Sequence, residues 1–111
     1  MDDRLPAHVE IGALIRAVQA AGGFATVLAK GERDAGTILI VTMENGANAK
    51  LYERMPSLDG ERKFSLTRAQ DAENPWEFND YLTKRRNQDG DIWIVELDIA
   101  DAERFVALQH K

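Results

Sequence analysis

Three carboxylates are the side chains of this sequence whose types and positions could do chemistry. Asp34 lies in a turn between two glycines, and Glu53 and Glu96 lie on predicted strands among apolar neighbours. Carboxylates can hold a divalent cation or act as general acids and bases, and different surroundings can give two of them opposite roles. A structural interpretation competes with this one, because turn aspartates bond to nearby backbone and glutamates are common at strand ends. The structural interpretation is favoured, and a metal-dependent hydrolase or nuclease using these three residues is the alternative hypothesis.

A basic cluster offers a second possible chemistry. Lys84, Arg85 and Arg86 follow Trp76 and Tyr81 at helical spacing, so that cations and stacking rings could together bind phosphate or nucleic acid. The same cations would also stabilise the C-terminal end of a helix without any ligand. Since the chain has a net charge of -5, which opposes binding to a polyanion, we expect no nucleic-acid partner.

The sequence predicts no metal site and no cofactor. It has no cysteine, and its two histidines, His8 and His110, lie at opposite ends of the chain, which argues against zinc. Nor does it contain an apolar run of about 18 residues or an apolar segment after a basic start, so we predict neither a membrane span nor a secretory signal. A cytoplasmic location is therefore the expectation.

The composition and length predict one globular domain over residues 1–111 with short frayed termini. Hydrophobic residues make up 44% and charged residues 30% of the chain, as in ordinary globular proteins. Hydrophobic periodicity predicts a first helix that ends at Gly22-Gly23, then four strands, a helix after Pro75, a fifth strand over 92–97 and a last helix. The first two strands are expected to form a hairpin.

The second and third strands are joined by Asn45-Gly46, a dipeptide typical of a type I′ hairpin turn. Counting outward from this turn pairs Ile40 with Leu51 and Ile38 with Glu53. These four side chains would form the main core face. The opposite face would be half apolar and only partly covered.

This order of elements predicts an α+β fold. We expect a five-stranded, mostly antiparallel sheet in the order α-β-β-β-β-α-β-α, with about three helices packed largely on one face. The crossover of about twenty residues before the fifth strand is long enough to make that strand parallel to a neighbour, which would give a mixed sheet.

Two stretches resemble a bacterial family catalogued as domain of unknown function 1491. They are Asp34-Ala35-Gly36-Thr37-Ile38-Leu39-Ile40 and the longer run from Asp91-Ile92-Trp93-Ile94-Val95-Glu96-Leu97 to Phe105, and the first helix is similar as well. Both stretches have the character of strands with their turns and caps. The resemblance implies a stand-alone bacterial cytoplasmic domain and assigns no activity, ligand or functional residue.

The leading hypothesis is a non-enzymatic interaction domain whose partner is a second copy or another protein. Faces that mix apolar side chains with Tyr, Trp and Arg are typical of protein interfaces. The predicted surface combines the half-apolar sheet face with an aromatic residue of the second helix: Leu39, Val41, Tyr52, Arg54 and Trp76.

Overall fold

The computed structural model describes residues 5–56, 58–60 and 62–108. The terminal residues 1–4 and 109–111, which were predicted to fray, lie outside this range, as does His110. The described elements are α1 (Ala7–Ala20), β1 (Phe24–Ala29), β2 (Ile38–Glu44), β3 (Ala47–Pro56), β4 (Arg62–Ala69), α2 (Trp76–Gln88), β5 (Trp93–Asp98) and α3 (Glu103–Ala107). Their order confirms the predicted α-β-β-β-β-α-β-α arrangement.

The five strands form one mixed sheet in the order β1-β5-β2-β3-β4. The strand β5 pairs in parallel with β2, and every other pairing is antiparallel. The parallel pair confirms the consequence expected of a long crossover, since α2 lies between β4 and β5 in the chain. The predicted hairpin between the first two strands is wrong, because β5 is inserted between β1 and β2. The apolar sequence of β5 explains this position, because a strand buried on both faces belongs inside the sheet.

The hairpin of β2 and β3 begins as predicted and then shifts by one residue. Asn45 and Gly46 have the positive φ angles of the predicted turn, 54° and 74°, and Glu44 pairs with Ala47. Asn48, with φ of 57°, then forms a bulge. Beyond it Val41 pairs with Leu51, where the pairing Ile40 to Leu51 was predicted. A shift of one residue exchanges the faces, so the predicted membership of the two faces is wrong for β3.

Each face of the sheet is covered by helix. One hydrophobic cluster joins α1 and α3 to Ile38, Ile40 and Tyr52, together with alternate side chains of β5. The other joins Phe78 and Leu82 of α2 to the opposite face, where Leu39, Val41 and Leu51 are at most 1% exposed. Two of the three helices thus share a face, and α2 covers the one that was expected to be half open.

The loop before β2 is packed closely against the start of β5. A Cβ atom on Gly31 or Gly36 would lie 2.2 or 2.3 Å from the backbone oxygen of Asp91. That oxygen accepts a hydrogen bond from the Glu32 backbone N–H at 2.9 Å, and the Trp93 indole donates to the Glu32 carbonyl at 2.6 Å. Glycine at these two positions therefore allows the loop backbone to lie close to the backbone at Asp91.

Candidate functional site

The five residues of the predicted interaction surface do not form one surface. Leu39 and Val41 are buried beneath α2, and the bulge places Tyr52 on the opposite face with Arg54. Arg54 is ion-paired there with Glu10 of α1, whose side chain is only 10% exposed. Trp76, at the start of α2, remains 58% exposed. The predicted surface is corrected accordingly, because α2 covers its apolar half and the shifted register separates the rest.

The three carboxylates of the alternative hypothesis lie apart. Asp34 is 3.9 Å from the His8 imidazole at the start of α1. Glu53 of β3 pairs with Leu39 of β2, and Leu39 pairs with Ile94 of β5. Glu96 lies two residues beyond Ile94. The Cα atoms of Glu53 and Glu96 are therefore about 12 Å apart, across two strand spacings. Within residues 5–56, 58–60 and 62–108, no group of three histidines or acidic residues could hold a metal ion. The geometry therefore does not assemble the proposed metal site.

Glu53 instead has a structural role between β4 and α2. Its Oε1 atom accepts a hydrogen bond from Arg85 at 2.6 Å, and its Oε2 atom accepts one from the Thr67 hydroxyl at 2.6 Å. Arg85 also donates to the Tyr81 hydroxyl at 3.1 Å. Burial lowers the pKa of the Arg85 guanidinium, but its bonds to Glu53 and Tyr81 outweigh that effect and raise it.

The basic cluster is divided by these contacts. Arg85 points to the sheet, whereas Lys84 and Arg86 are exposed. The ring of Tyr81, which was considered as a platform for a base, is covered by the guanidinium of Arg68 at 3.7 Å from its centroid. The three cations and the ring therefore do not form a common phosphate-binding face.

The surface that sequence reasoning missed is the free side of β1, the edge strand next to β5. Phe24 is 75% exposed, and Val27 and Leu28 are also exposed. The six residues Phe-Ala-Thr-Val-Leu-Ala carry no charge. An exposed apolar edge without charges is a template for pairing with another strand.

The opposite edge of the sheet is protected. The strand β4 carries Arg62, Lys63 and Arg68, and a bulge interrupts its pairing with β3 between Leu51 and Tyr52. Charged side chains and bulges are the usual means by which edge strands avoid pairing. The two edges therefore differ in the features that permit association.

Two carboxylates of β5 lie directly behind the β1 edge. Glu96 pairs with Thr26 and Asp98 pairs with Phe24. Burial, and next to it the charge of Asp98, raises the pKa of the Glu96 carboxyl. The carboxylate of Asp98 accepts hydrogen bonds from the backbone N–H groups of Asn45 and Gly46, at 2.8 and 2.9 Å, and so ties the β2–β3 turn to β5.

The sequence contained a signal for the β1 edge. The first predicted strand spans Phe24 to Lys30, and the absence of charge over residues 24–29 contrasts with the cations of β4. The sequence did not indicate the position of β1 in the sheet, because a hairpin with β2 alone does not determine whether another strand pairs with the second side of β1. In the described part of the chain, no helix is long and apolar enough to cross a membrane.

The comparisons with known proteins agree with this fold. The family model described as protein of unknown function, DUF1491, matches residues 5–107. No curated protein matches the chain. The crystal structure of a DUF1491 family protein from Caulobacter crescentus CB15 is 30% identical, with a TM-score of 0.78 over 92% of this chain and 94% of that one.

Two structures determined in solution are also similar. The NMR structure of a DUF1491 family protein from Caulobacter crescentus CB15 is 30% identical, with a TM-score of 0.75 over 91% of each chain. The solution structure of protein Atu0922 from A. tumefaciens is 32% identical, with a TM-score of 0.69 over 88% of each chain.

Proposed function

This chain belongs to the DUF1491 family of proteins of unknown function, and we propose that it is a non-enzymatic, cytoplasmic interaction domain that pairs with a second copy of itself through β1. The observation that carries the proposal is the uncharged, exposed edge of that strand. Pairing would join two five-stranded sheets into one of ten strands.

Symmetry favours β1 as its own partner. Two β1 strands related by a twofold axis run antiparallel, and the contact closes after two copies. Since β1 has no charged residue, no like charges face one another across such a pair. A contact between β1 and β4 of the next copy would instead continue without closing, and the bulge and cations of β4 oppose it.

Charge at the strand ends is also complementary in this arrangement. Lys30 directly follows β1, and Asp98 pairs with Phe24 at the beginning of the strand. An antiparallel partner would bring its Lys30 to the end of the strand pair where Asp98 of the first copy lies. The attraction would be modest in water, and it would favour the antiparallel register.

The test is the mass in solution as a function of concentration. We expect light scattering to give twice the 12.4 kDa of the chain at high concentration. The double variant Phe24→Lys and Leu28→Lys should remain at the monomer mass, because four added charges would meet in the interface. The matched control is Leu66→Lys on β4, where the side chain is 52% exposed, and it should not change the dimer.

Two results would overturn the proposal. One is a native chain that stays monomeric at millimolar concentration, and the other is a dimer that the double variant forms as well as the native chain. Thermal unfolding of each variant, followed by circular dichroism, shows whether a change in mass reflects the edge or a loss of fold.

A further inference from the structure

A cavity of about 250 Å³ lies away from the β1 edge. It opens at the end of the sheet where β2 and β5 terminate, between the start of β3, the end of β4 and the residues that lead into α3. The carboxyl ends of parallel strands are a common position for ligand sites in α/β sheets, and β2 and β5 are the parallel pair here. The volume suits a small ligand.

Three charged side chains line this cavity. They are Glu44 at the end of β2, Lys50 on β3 and Glu103 at the start of α3. The Lys50 ammonium lies 3.4 Å from the Glu103 carboxylate, and these side chains are 40% and 47% exposed. An ion pair so exposed contributes little to stability, so a ligand that offers each partner an opposite charge can enter between them.

Polar groups lie around the charged residues of the cavity. Burial, and after it the charge of Glu103, raises the pKa of the Tyr52 hydroxyl. The Gln70 side chain accepts a hydrogen bond from the Ala49 backbone N–H at 3.4 Å. The bulge at Asn48 brings an amide side chain to the wall.

Residues with positive φ lie in the backbone at this end of the sheet. The three non-glycine residues with positive φ in the described chain are Asn45, Asn48 and Asp101. The first two belong to the β2–β3 turn and its bulge, and Asp101 lies two residues before Glu103. Asn and Asp adopt this conformation more readily than other non-glycine residues, and here it sets the course of the backbone around the cavity.

We propose that this cavity binds a dibasic α-amino acid, with L-lysine as its simplest form. The cavity presents two carboxylates and one ammonium group, and such a ligand presents two cations and one carboxylate. In this arrangement the ligand carboxylate pairs with Lys50, one ammonium pairs with Glu103 and the other with Glu44. The proposal does not rest on dimerisation, because no residue of β1 lines the cavity.

The experiment is an NMR titration of the uniformly ¹⁵N-labelled chain with L-lysine at millimolar concentration. We expect the amide resonances of Asn48, Lys50 and Glu103 to shift with saturation. Two further probes divide the ligand into its parts: 1,5-diaminopentane supplies the two cations without a carboxylate, and hexanoate supplies a carboxylate without a cation. Both should bind at least about tenfold more weakly than L-lysine.

The variants Lys50→Met and Glu103→Gln should each weaken L-lysine binding by about tenfold or more. The control Lys84→Met removes an exposed cation of α2, outside the cavity, and should leave binding unchanged. The proposal is overturned if L-lysine shifts no resonance of the cavity, if either single-function probe binds as tightly, or if both cavity variants bind like the native chain. Repeating the titration on the double variant Phe24→Lys and Leu28→Lys separates this result from that on dimerisation.

Discussion

Glu53 and Arg54 are neighbours on β3 whose side chains point to opposite faces of the sheet, and each forms an ion pair with a different helix. Glu53 binds Arg85 of α2, and Arg54 binds Glu10 of α1. Strand geometry makes this arrangement possible, because successive side chains alternate between faces. Two adjacent residues of one strand thus orient both helical layers.

We expect the Glu53–Arg85 pair to contribute measurably to stability. Its side chains are 14% and 25% exposed, and removal of one partner would leave a half-buried charge without its bond. The variant Glu53→Gln should lower the free energy of unfolding by roughly 1 to 3 kcal/mol. A double-mutant cycle with Arg85→Met, measured by urea unfolding, isolates the coupling between the two side chains.

The matched control is the cycle for Lys50 and Glu103, whose side chains are far more exposed. Its coupling should be about 0.5 kcal/mol or less. Equal couplings in the two cycles would contradict the view that burial distinguishes the pairs.

Glycine substitutions test the packing of the loop before β2. In Gly36→Ala the new Cβ would lie 2.3 Å from the Asp91 backbone oxygen, so backbone must move and we expect a loss of roughly 2 kcal/mol or more. Gly90→Ala is the control, because nothing lies within 4 Å of its added Cβ. That variant should be neutral or stabilised by up to about 1 kcal/mol. Thermal unfolding of both, followed by circular dichroism, gives the comparison, and a Gly36→Ala variant as stable as the native chain would disprove the close approach.

The bulge residue Asn48 should tolerate glycine better than alanine. Its φ of 57° is accessible to glycine without steric cost, whereas a Cβ without a polar group costs about 1 kcal/mol in this region. We therefore expect Asn48→Ala to be less stable than Asn48→Gly by about that amount in urea unfolding. If the two variants are equally stable, residue 48 does not hold a left-handed conformation in solution.

The same bulge shows where prediction from the sequence ended. Asn45-Gly46 indicated the turn correctly because its positive φ angles have a residue signature, and the apolar run of β5 indicated an interior strand. The extra residue at Asn48 has no comparable signature, and it alone changed which side chains of β3 face α1. The prediction that the first two strands form a hairpin was wrong for a related reason. A short loop favours pairing between the two strands that it joins, but β5, a strand far along the chain, lies between them.

The candidate surfaces were harder to predict than the elements. Leu39 and Val41 have the composition of an interface, but the crossover helix α2 buries them. The free side of β1 depended on the strand order, and the cavity depended on side chains from β2, β3 and α3 that are distant in sequence. Local sequence patterns therefore predicted the helices and strands, whereas the pairing of distant segments determined which strand edge and which cavity remained exposed.

Glu96 should make stability depend on pH in the acidic range. Burial and the charge of Asp98 raise the pKa of its carboxyl in the folded state, whereas a glutamate in the unfolded chain has a pKa of about 4.3. Between these two pKa values the folded state binds more protons than the unfolded state. The contribution of Glu96 to the free energy of unfolding therefore falls as pH rises. Its ionised form thus opposes folding at neutral pH.

The variant Glu96→Gln removes that cost. We expect it to be more stable than the native chain at pH 7 by roughly 0.5 kcal/mol, a value kept small because the group is partly exposed and screened by solvent. The gain should vanish as pH falls below the pKa of unfolded glutamate, where the native carboxyl is protonated in both states. Urea unfolding of both proteins across this range measures the difference, with Glu77→Gln on α2 as the control. A variant that is less stable at pH 7 would show instead that ionised Glu96 makes a favourable contact that outweighs its burial and its repulsion by Asp98.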